Sequence, residues 1–428
     1  MIRSILCALL LAGVCAAQNP AGEPPQKQLP SPTGKFGVSR IGYDWTDAKR
    51  VDPTGKIAGD HREIMVYVWY PADKNRKDGR VDYLPGVDAI ASSPEVKAEK
   101  EFWGDAWPLV SLDTVKIDAS EGAPVAKGKD RFPLIVFSPE VGVNASSYTT
   151  LIEEVVSRGY IVAAIEPTFE VPAMAFPDGR VLGLSEDATG RRKLIRQGDT
   201  KEKFLQRLHD FDAGHLDKWA ADIRLTIDKV SEIDSADKNT EPFSGRVDIN
   251  NIAAWGHSFG GQAAARACQT EPRIKACLNA DGVGTDGPIF AYPNMALPSR
   301  PFLWMEVHHD PPTEDFLASF HTTREAWDKD HQAQLAANEK ELKACTGGSF
   351  HVTINLPGVE HLSFTDKPLI AAKNSEDADK ATRALAAIEQ YTLAFFDRYL
   401  KQQNGGVLDS GAAPAPGVTV ETFTADAK

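Results

Sequence analysis

The sequence predicts an α/β fold in which a mostly parallel, doubly wound sheet carries helices on both faces. Short, continuously apolar runs alternate with segments of helical periodicity along the chain. This alternation is typical of parallel strands that are buried on both faces. A Gly-x-Ser-x-Gly motif at 256–260 also stands between one apolar run and an Ala-rich segment, where a strand would turn into a helix.

The predicted elements follow one another in the order that such a sheet requires. An antiparallel pair opens the fold, because the β-rich run 64–70 can pair with 35–43 through a turn-rich segment. The apolar runs expected to form parallel strands are 134–137, 161–165, 252–255, 276–278 and 302–305. Helical spacing covers 148–157, 216–230 and about 381–400. An alternating run at 351–356 predicts the last strand.

Composition and charge exclude several classes of protein. Hydrophobic residues make up 42% and charged residues 25% of the 428 residues, so neither a disordered chain nor a multi-span membrane protein is expected. Lys plus Arg number 47 against 60 Asp plus Glu, which gives a net charge of −13. A field of that sign repels phosphate backbones, so we expect no nucleic-acid partner.

Both ends of the chain are expected to lie outside the folded domain. Residues 1–17 combine one arginine, an apolar run and small residues, which is the pattern of a cleaved signal peptide and predicts a secreted or periplasmic protein. Residues 18–34 have the composition of a Pro-rich linker, and residues 403–428 that of a flexible tail. The folded domain is then 35–402, with an insertion at about 168–215.

Three cysteines remain after the predicted signal peptide, namely Cys268, Cys277 and Cys345. An oxidising compartment permits one disulfide among them and leaves one thiol over. The sequence leaves the pairing open.

Ser258 is the candidate nucleophile, because it is the central residue of the Gly-x-Ser-x-Gly motif. In the α/β-hydrolase fold, a sharp turn between strand and helix pushes this serine above the sheet, and the glycines let the backbone pass closely. The backbone N–H of Phe259 then lies at the helix N-terminus, where it can donate a hydrogen bond to an oxyanion.

His361 is the candidate base. In this fold the acid and the histidine follow the nucleophile along the chain. His361 lies on the loop beyond the carboxyl end of the strand expected at 351–356, which is the edge where catalytic groups of open α/β sheets collect. The competing downstream histidines are His308, His309, His321, His331 and His351.

Asp281 is the candidate acid. It ends the apolar run at 276–280 and is the first acidic residue after the helix that follows Ser258. Glu306 and Asp310, which follow the next strand, remain alternatives, because many proteins of this fold take the acid from that later strand.

Four stretches carry a resemblance to a known family, and they are 132–138, 157–166, 256–261 and 278–282. Together they resemble the plasma and type II intracellular platelet-activating-factor acetylhydrolase family, with similarity scattered over about residues 36–400. The resemblance implies an esterase without a cofactor, in which Ser258 is the nucleophile, Asp281 the acid and His361 the base. The implied substrate is a phospholipid or similar ester with a short or oxidised acyl chain.

The same resemblance implies that the backbone N–H groups of Phe259 and Val141 are the oxyanion donors. The family has His-Gly directly after the serine that follows the strand predicted at 134–137. In this chain that serine is Ser138, and Pro139 and Glu140 follow it. Glutamate adds a negative charge, so we expect its carboxylate to point away from the developing oxyanion.

Three other features concern substrate binding, lipid contact and metal binding. Phe169, Met174 and Phe176 are candidates for an acyl pocket, with ordinary packing as the alternative. The basic segment 191–207 is either a solvated helix face or a contact for anionic lipid. No metalloprotease-type His-Glu-x-x-His motif or paired cysteine spacing occurs in the sequence, so we expect no metal.

Two rival functions remain open. A general esterase of the dienelactone hydrolase or polyester hydrolase type would use the same nucleophile turn. A noncatalytic binding module on the same fold is less favoured, because such proteins usually lack one member of the triad, and each candidate member is present here.

Overall fold

The computed structural model describes most of the chain, and the described residues are 27–51, 61–74, 81–94, 115–128, 130–184, 201–236, 241–282, 300–309, 311–319, 322–345, 347–404, 406–409 and 414–423. The predicted signal peptide, Asp310, His321 and residues 191–200 of the basic segment lie outside this part, as do the side chains of residues 201–207.

The described residues form strands and helices in alternation. The strands β1 to β14 are Lys27–Gln28, Gly37–Val51, His61–Ala72, Val115–Lys116, Ser120–Glu121, Phe132–Ser138, Ile161–Glu166, Ala173–Ala175, Val181–Gly183, Val247–His257, Ile274–Ala280, Phe302–Val307, Ser349–Ile354 and Val418–Phe423. The helices α1 to α8 are Val87–Ala91, Thr149–Ser157, Lys201–Ser235, Phe259–Thr270, Glu314–Ser319, Arg324–Ala344, Lys367–Ala371 and Ser375–Leu400.

Ten of the described strands form one sheet, in the order β14-β13-β12-β11-β10-β6-β7-β3-β2-β5. The six strands from β13 to β7 in that order pair in parallel, and β3 and β14 join them antiparallel on either side. The opening pair of β2 and β3 is antiparallel, as predicted. The predicted mostly parallel α/β-hydrolase sheet is therefore confirmed.

The central strands are mostly apolar because helices cover both faces of the sheet. Every residue of β6 is buried. Leu134 and Val136 belong to one core cluster, which α3 and α4 cover, and Ile135 and Phe137 belong to the other, which α2 and α8 cover. Among the helices that the described residues form, none is both long enough and apolar enough to cross a membrane.

Part of the predicted flexible tail is an edge strand of the sheet. Val418–Phe423 pairs antiparallel with β13, in a register that places Val418 opposite Ile354 and Val420 opposite Val352. The expectation of a loose tail does not hold for this stretch, because the alternating valines pack on the core and the strand fills the hydrogen-bonding edge of β13.

The predicted linker also contacts the domain. Thr33 donates its N–H and its hydroxyl to the carboxylate of Glu154, and the N–H of Gly34 donates to Ser157 Oγ. Composition predicts little burial here, but hydrogen bonds to α2 hold this end of the segment.

A disulfide joins Cys268 in α4 to Cys277 in β11, with a Cα–Cα distance of 6.5 Å. Cys345 is a buried free thiol. The pairing that the sequence left open therefore ties the helix that follows Ser258 to the strand that leads to Asp281.

Candidate active site

Ser258 lies on a sharp turn between β10 and α4. Its φ is 54° and its ψ is −124°, a conformation that costs a non-glycine residue on the order of 1–3 kcal/mol. Two backbone hydrogen bonds hold the turn: the N–H of Ser258 donates to the carbonyl of Ala280 at 2.8 Å, and its own carbonyl accepts the N–H of Gly261 at 2.9 Å. The strand-turn-helix context that the motif requires is present.

The motif glycines are needed because backbone approaches them closely. A Cβ atom at Gly256 would lie 2.2 Å from the carbonyl oxygen of Gly260. One at Gly260 would lie 2.2 Å from the carbonyl oxygens of Ser138 and Pro139. The turn therefore packs against the loop that follows β6, and no larger side chain fits.

Asp281 follows β11 and receives hydrogen bonds at both carboxylate oxygens. Oδ2 accepts from Nδ1 of His361 at 2.5 Å. Oδ1 accepts the N–H of Val307 at 3.1 Å and hydrogen-bonds to Nε2 of His309, also at 3.1 Å. Burial raises the pKa of Asp281, but the hydrogen bonds with His309 and His361 outweigh it and hold the pKa below its ordinary value.

His361 begins a short 3₁₀ helix, His361–Phe364, and about one-third of its side chain is exposed. The turn is held in place because Ser363 Oγ accepts the N–H of Glu360 at 2.9 Å. Burial lowers the pKa of His361, yet its contacts with the carboxylates of Asp281 and Glu140 prevail and raise the pKa to about 10.

Glu306, the alternative acid, pairs with a different histidine. Its Oε1 lies 2.8 Å from Nε2 of His351, whose Nδ1 lies 3.0 Å from Glu421. The His351 ring also stacks on Trp304, with ring centroids 4.0 Å apart. The structure therefore brings Asp281, and not Glu306, to His361, while Asp310 lies outside the described residues.

Sequence reasoning missed the contact of His309 with Asp281. From the sequence, His309 is considered only as a competing base. Its position beyond the carboxyl end of β12 was a usable signal, since β12 pairs in parallel with β11 and the ends of the two strands meet at one edge.

In the loop after β6, the backbone N–H group of Val141 is available. The N–H of Glu140 donates to the hydroxyl of Tyr148 at 3.1 Å, and the two residues that follow Val141 donate theirs to backbone carbonyls. Among the described residues, the N–H of Val141 has no hydrogen-bond partner. Val141 can therefore donate to a bound molecule.

The carboxylate of Glu140 points at two imidazoles. Oε1 lies 3.6 Å from Nε2 of His361, and Oε2 lies 3.8 Å from Nδ1 of His257. The side chain is 20% exposed. The expected outward orientation is therefore wrong, because the histidines offer the carboxylate partners. Burial raises the pKa of Glu140, but its contacts with His361 and His257 outweigh it and lower the pKa.

His257 cannot balance the charge of Glu140 at neutral pH. It is 1% exposed, and its Nδ1 hydrogen-bonds to the hydroxyl of Tyr148 at 2.8 Å. Burial, and then the neighbouring His361, lower the pKa of His257 to about 3. His257 is therefore neutral at pH 7, and His361 is the partner that can carry the positive charge.

The same three side chains are the described residues that could hold a metal ion. One ligand atom each of Glu140, His257 and His361 lies within 4.8 Å of the others. A metal ion there would compete with the Glu140–His361 contact and with the hydrogen bond from Tyr148 to His257.

The three candidates for the acyl pocket are buried. Phe169 and Phe176 are each 4% exposed and Met174 is 2% exposed. Met174 and Phe176 belong to the same core cluster as residues of α2 and α8, and their role in an acyl pocket stays a prediction.

Comparison with known proteins identifies the family. The family model for platelet-activating factor acetylhydrolase, isoform II, matches residues 21–283. The chain belongs to this family. The matched part contains Ser258 and Asp281, and His361 lies beyond it.

Individual relatives support the same family assignment. A platelet-activating factor acetylhydrolase of Cavia porcellus is 23% identical over 358 residues, which cover 79% of this chain and 73% of the relative. A probable 1-alkyl-2-acetylglycerophosphocholine esterase of Arthroderma benhamiae is 24% identical and covers 97% and 98%. The solved structure of a ferulic acid esterase from Streptomyces cinnamoneus shares the fold, with a TM-score of 0.64, 24% identity and coverage of 92% and 99%. The family and these relatives together identify the chain as a carboxylic ester hydrolase.

Proposed function

We propose that this member of the acetylhydrolase family is a secreted serine esterase that cleaves lipid esters with a short or oxidised acyl chain through an acyl-enzyme. The observation that carries the proposal is the position of Ser258 on a strained turn at the sheet edge where the Asp281–His361 hydrogen bond of 2.5 Å also lies. A nucleophile on such a turn, with an imidazole oriented by a buried carboxylate, is the arrangement that acyl transfer requires.

The proposed reaction has two halves. Ser258 Oγ attacks the ester carbonyl while Nε2 of His361 takes the hydroxyl proton, and Asp281 keeps the imidazole in the required tautomer. The tetrahedral intermediate then expels the alcohol, which receives the proton from His361. Water attacks the acyl-enzyme in the second half, again with His361 as base, and releases the carboxylic acid and free Ser258.

The proposed oxyanion donors are the backbone N–H groups of Phe259 and Val141. Phe259 is the first residue of α4, where the helix dipole favours negative charge. Val141 supports the proposal because its N–H has no partner among the described residues. Because Gly260 has no Cβ atom, the loop after β6 can lie directly against the nucleophile turn.

The proposed substrate class follows from the family and from the relative named an acetylglycerophosphocholine esterase. Phe169, Met174 and Phe176 remain our candidates for the acyl-binding wall. The predicted signal peptide supports secretion, and peripheral contact of the basic segment 191–207 with lipid is part of the same proposal. No cofactor enters the proposed reaction.

Two measurements test this function. A fluorophosphonate probe should label Ser258, and Ser258→Ala should lose on the order of 10⁴-fold or more in kcat while it keeps its circular dichroism spectrum. Labelling at another residue, or full activity of the alanine variant, would refute the serine mechanism.

Esters of graded acyl length, with and without a phosphocholine headgroup, test the substrate class. We expect kcat/KM to be highest for short acyl chains and to rise with the headgroup. A preference for aryl or polyester substrates over every phospholipid would instead support the general esterase.

A further inference from the structure

Glu140 occupies the side of His361 that the proposed reaction needs. The Nδ1 side of the imidazole is held by Asp281 at 2.5 Å, so Nε2 is the nitrogen that must accept the proton of Ser258. In the structure, this nitrogen faces Glu140 Oε1 at 3.6 Å. Among the described residues, no hydrogen bond joins Ser258 Oγ to His361.

The backbone of Glu140 is held in place, but its carboxylate is not fully satisfied. Its backbone is held because the N–H of Glu140 donates to Tyr148 and its carbonyl accepts from Val143. Its Oε2 is buried and accepts no hydrogen bond from the described residues. A carboxylate with one buried, unsatisfied oxygen is stabilised by a nearby cation, and His361 is the imidazole that can supply the charge.

We propose, on the basis of the esterase function above, that Glu140 is a positioning residue that pairs with the imidazolium of His361 in the free enzyme. The Nε2 proton passes to solvent before catalysis, and Glu140 then yields the neutral Nε2 to Ser258 when an ester binds. Glu140 directly precedes Val141, the proposed oxyanion donor. An ester carbonyl bound at Val141 therefore develops its negative charge beside the Glu140 carboxylate. The two negative charges repel each other, which disfavours the position of Glu140 at Nε2 during the attack by Ser258.

The charged and titratable groups around His361 come from five places. Asp281 follows β11, Glu140 follows β6, and His257 ends β10 with its ring centroid 4.5 Å from that of His361. His309 contacts the far oxygen of Asp281, and Lys367 in α7 acts electrostatically on Glu140. Of the two anions that face His361, Asp281 belongs to the proposed triad, so Glu140 is the one that can be neutralised without removing a triad member.

The decisive measurement is the titration of His361 by NMR in the Ser258→Ala background, which needs no substrate. Replacing Glu140 by Gln removes a negative charge within about 4 Å of the ring, and we expect the pKa of His361 to fall by on the order of 1 unit or more. Glu140→Asp keeps the charge and should retain most of the original pKa. An unchanged pKa in Glu140→Gln overturns the proposal.

The pH profile of kcat/KM gives the second readout. The neutral form of His361 is the base, so its lower pKa in Glu140→Gln should move the acidic limb of the profile to lower pH by a similar amount. The plateau at high pH should change by less than about threefold, because all wild-type molecules have then lost the extra proton. A loss of kcat at every pH with an unmoved limb would mean a merely structural role and overturns the proposal.

The control is Glu421→Gln, which makes the same change at a glutamate–histidine pair remote from Ser258. Glu421 lies 3.0 Å from Nδ1 of His351, so this variant should alter the titration of His351 and leave both the pKa of His361 and the pH profile unchanged. Activation of the wild-type enzyme by a chelator would assign Glu140 to a bound metal instead and overturn the proposal. If the fluorophosphonate probe fails to label Ser258, the esterase mechanism falls, but the titration still decides the Glu140–His361 pair.

Discussion

At the residue scale, backbone strain coincides with the proposed chemistry. Ser258 and Asp281 have positive φ values of 54° and 52°, although neither is glycine. The hydrogen bond from the N–H of Ser258 to the carbonyl of Ala280 links the two turns directly. Such strain persists only where the surrounding structure imposes it, and here both turns lie at the carboxyl edge of adjacent strands.

The acid assignment can be tested by paired substitutions. Asp281→Asn should lower kcat by on the order of 10⁴-fold, because the amide cannot hold His361 in the required tautomer. Glu306→Gln should lower kcat by less than about tenfold, since Glu306 pairs with His351 and orients no proposed catalytic group. Steady-state kinetics on a soluble ester decides between them, and the reverse ranking would transfer the acid role to Glu306.

His309 is expected to act through Asp281. His309→Asn removes the hydrogen bond at Oδ1 while Val307 and His361 keep theirs. We expect kcat to fall by roughly threefold to tenfold with KM unchanged, because the carboxylate gains freedom but remains present. Equal effects on kcat and KM would indicate that His309 contacts the substrate.

At the element scale, the disulfide joins the two elements that carry the nucleophile turn and the acid. The Cys268→Ala, Cys277→Ala double variant should lose about 2–3 kcal/mol in the free energy of unfolding, because the cross-link restricts the unfolded chain. Cys345→Ala is the matched control, since it removes a buried sulfur without removing a cross-link. Urea unfolding measures the free energy of unfolding of both variants. Equal losses in the two would mean that lost packing, and not the lost cross-link, lowers the stability.

The edge strand β14 makes a second element-scale prediction. Deletion of residues 414–428 uncovers the hydrogen-bonding edge of β13, so we expect a lower melting temperature and association that grows with protein concentration. Deletion of residues 424–428 alone is the control, because β14 ends at Phe423. Light scattering that is identical for the two truncations would show that β14 does not protect the edge.

At the scale of the whole molecule, buried carboxyl groups predict how stability depends on pH. Burial raises the pKa of Glu153 and of Glu166 to about 8, and that of Asp366 to about 7. A carboxyl whose pKa is raised in the folded state binds a proton that the unfolded chain has already lost. Its contribution is present below the unfolded pKa and is lost as the pH rises through the folded value.

We therefore expect the melting temperature to fall by several degrees between about pH 5 and pH 9. Glu153→Gln should flatten this decline, because the amide can still accept the N–H of Ala119 and does not titrate. Differential scanning calorimetry across the pH range measures the slope. The same slope in the variant would show that Glu153 does not contribute to it.

The fold and much of the site follow from local sequence. The apolar runs predict strands because a strand covered on both faces is apolar along nearly its whole length, as β6 is from Phe132 to Phe137. The Gly-x-Ser-x-Gly turn predicts Ser258 because its glycines lie where backbone leaves no space for a Cβ atom. The order of acid and histidine along the chain, together with the edge at which their strands end, predicted His361 as the base and Asp281 as a candidate for the acid.

Tertiary structure alone decided which side chains meet. The sequence left Asp281 and Glu306 open, and strand order brings Asp281 to His361 while Glu306 pairs with His351. The disulfide partner of Cys277 and the edge position of β14 likewise depend on distances across the sheet. Glu140 shows the reason most clearly: charge alone predicts that it turns away, but the fold places two imidazoles within 4 Å of its oxygens, and contacts between residues so far apart in the chain are set only when the strands pack.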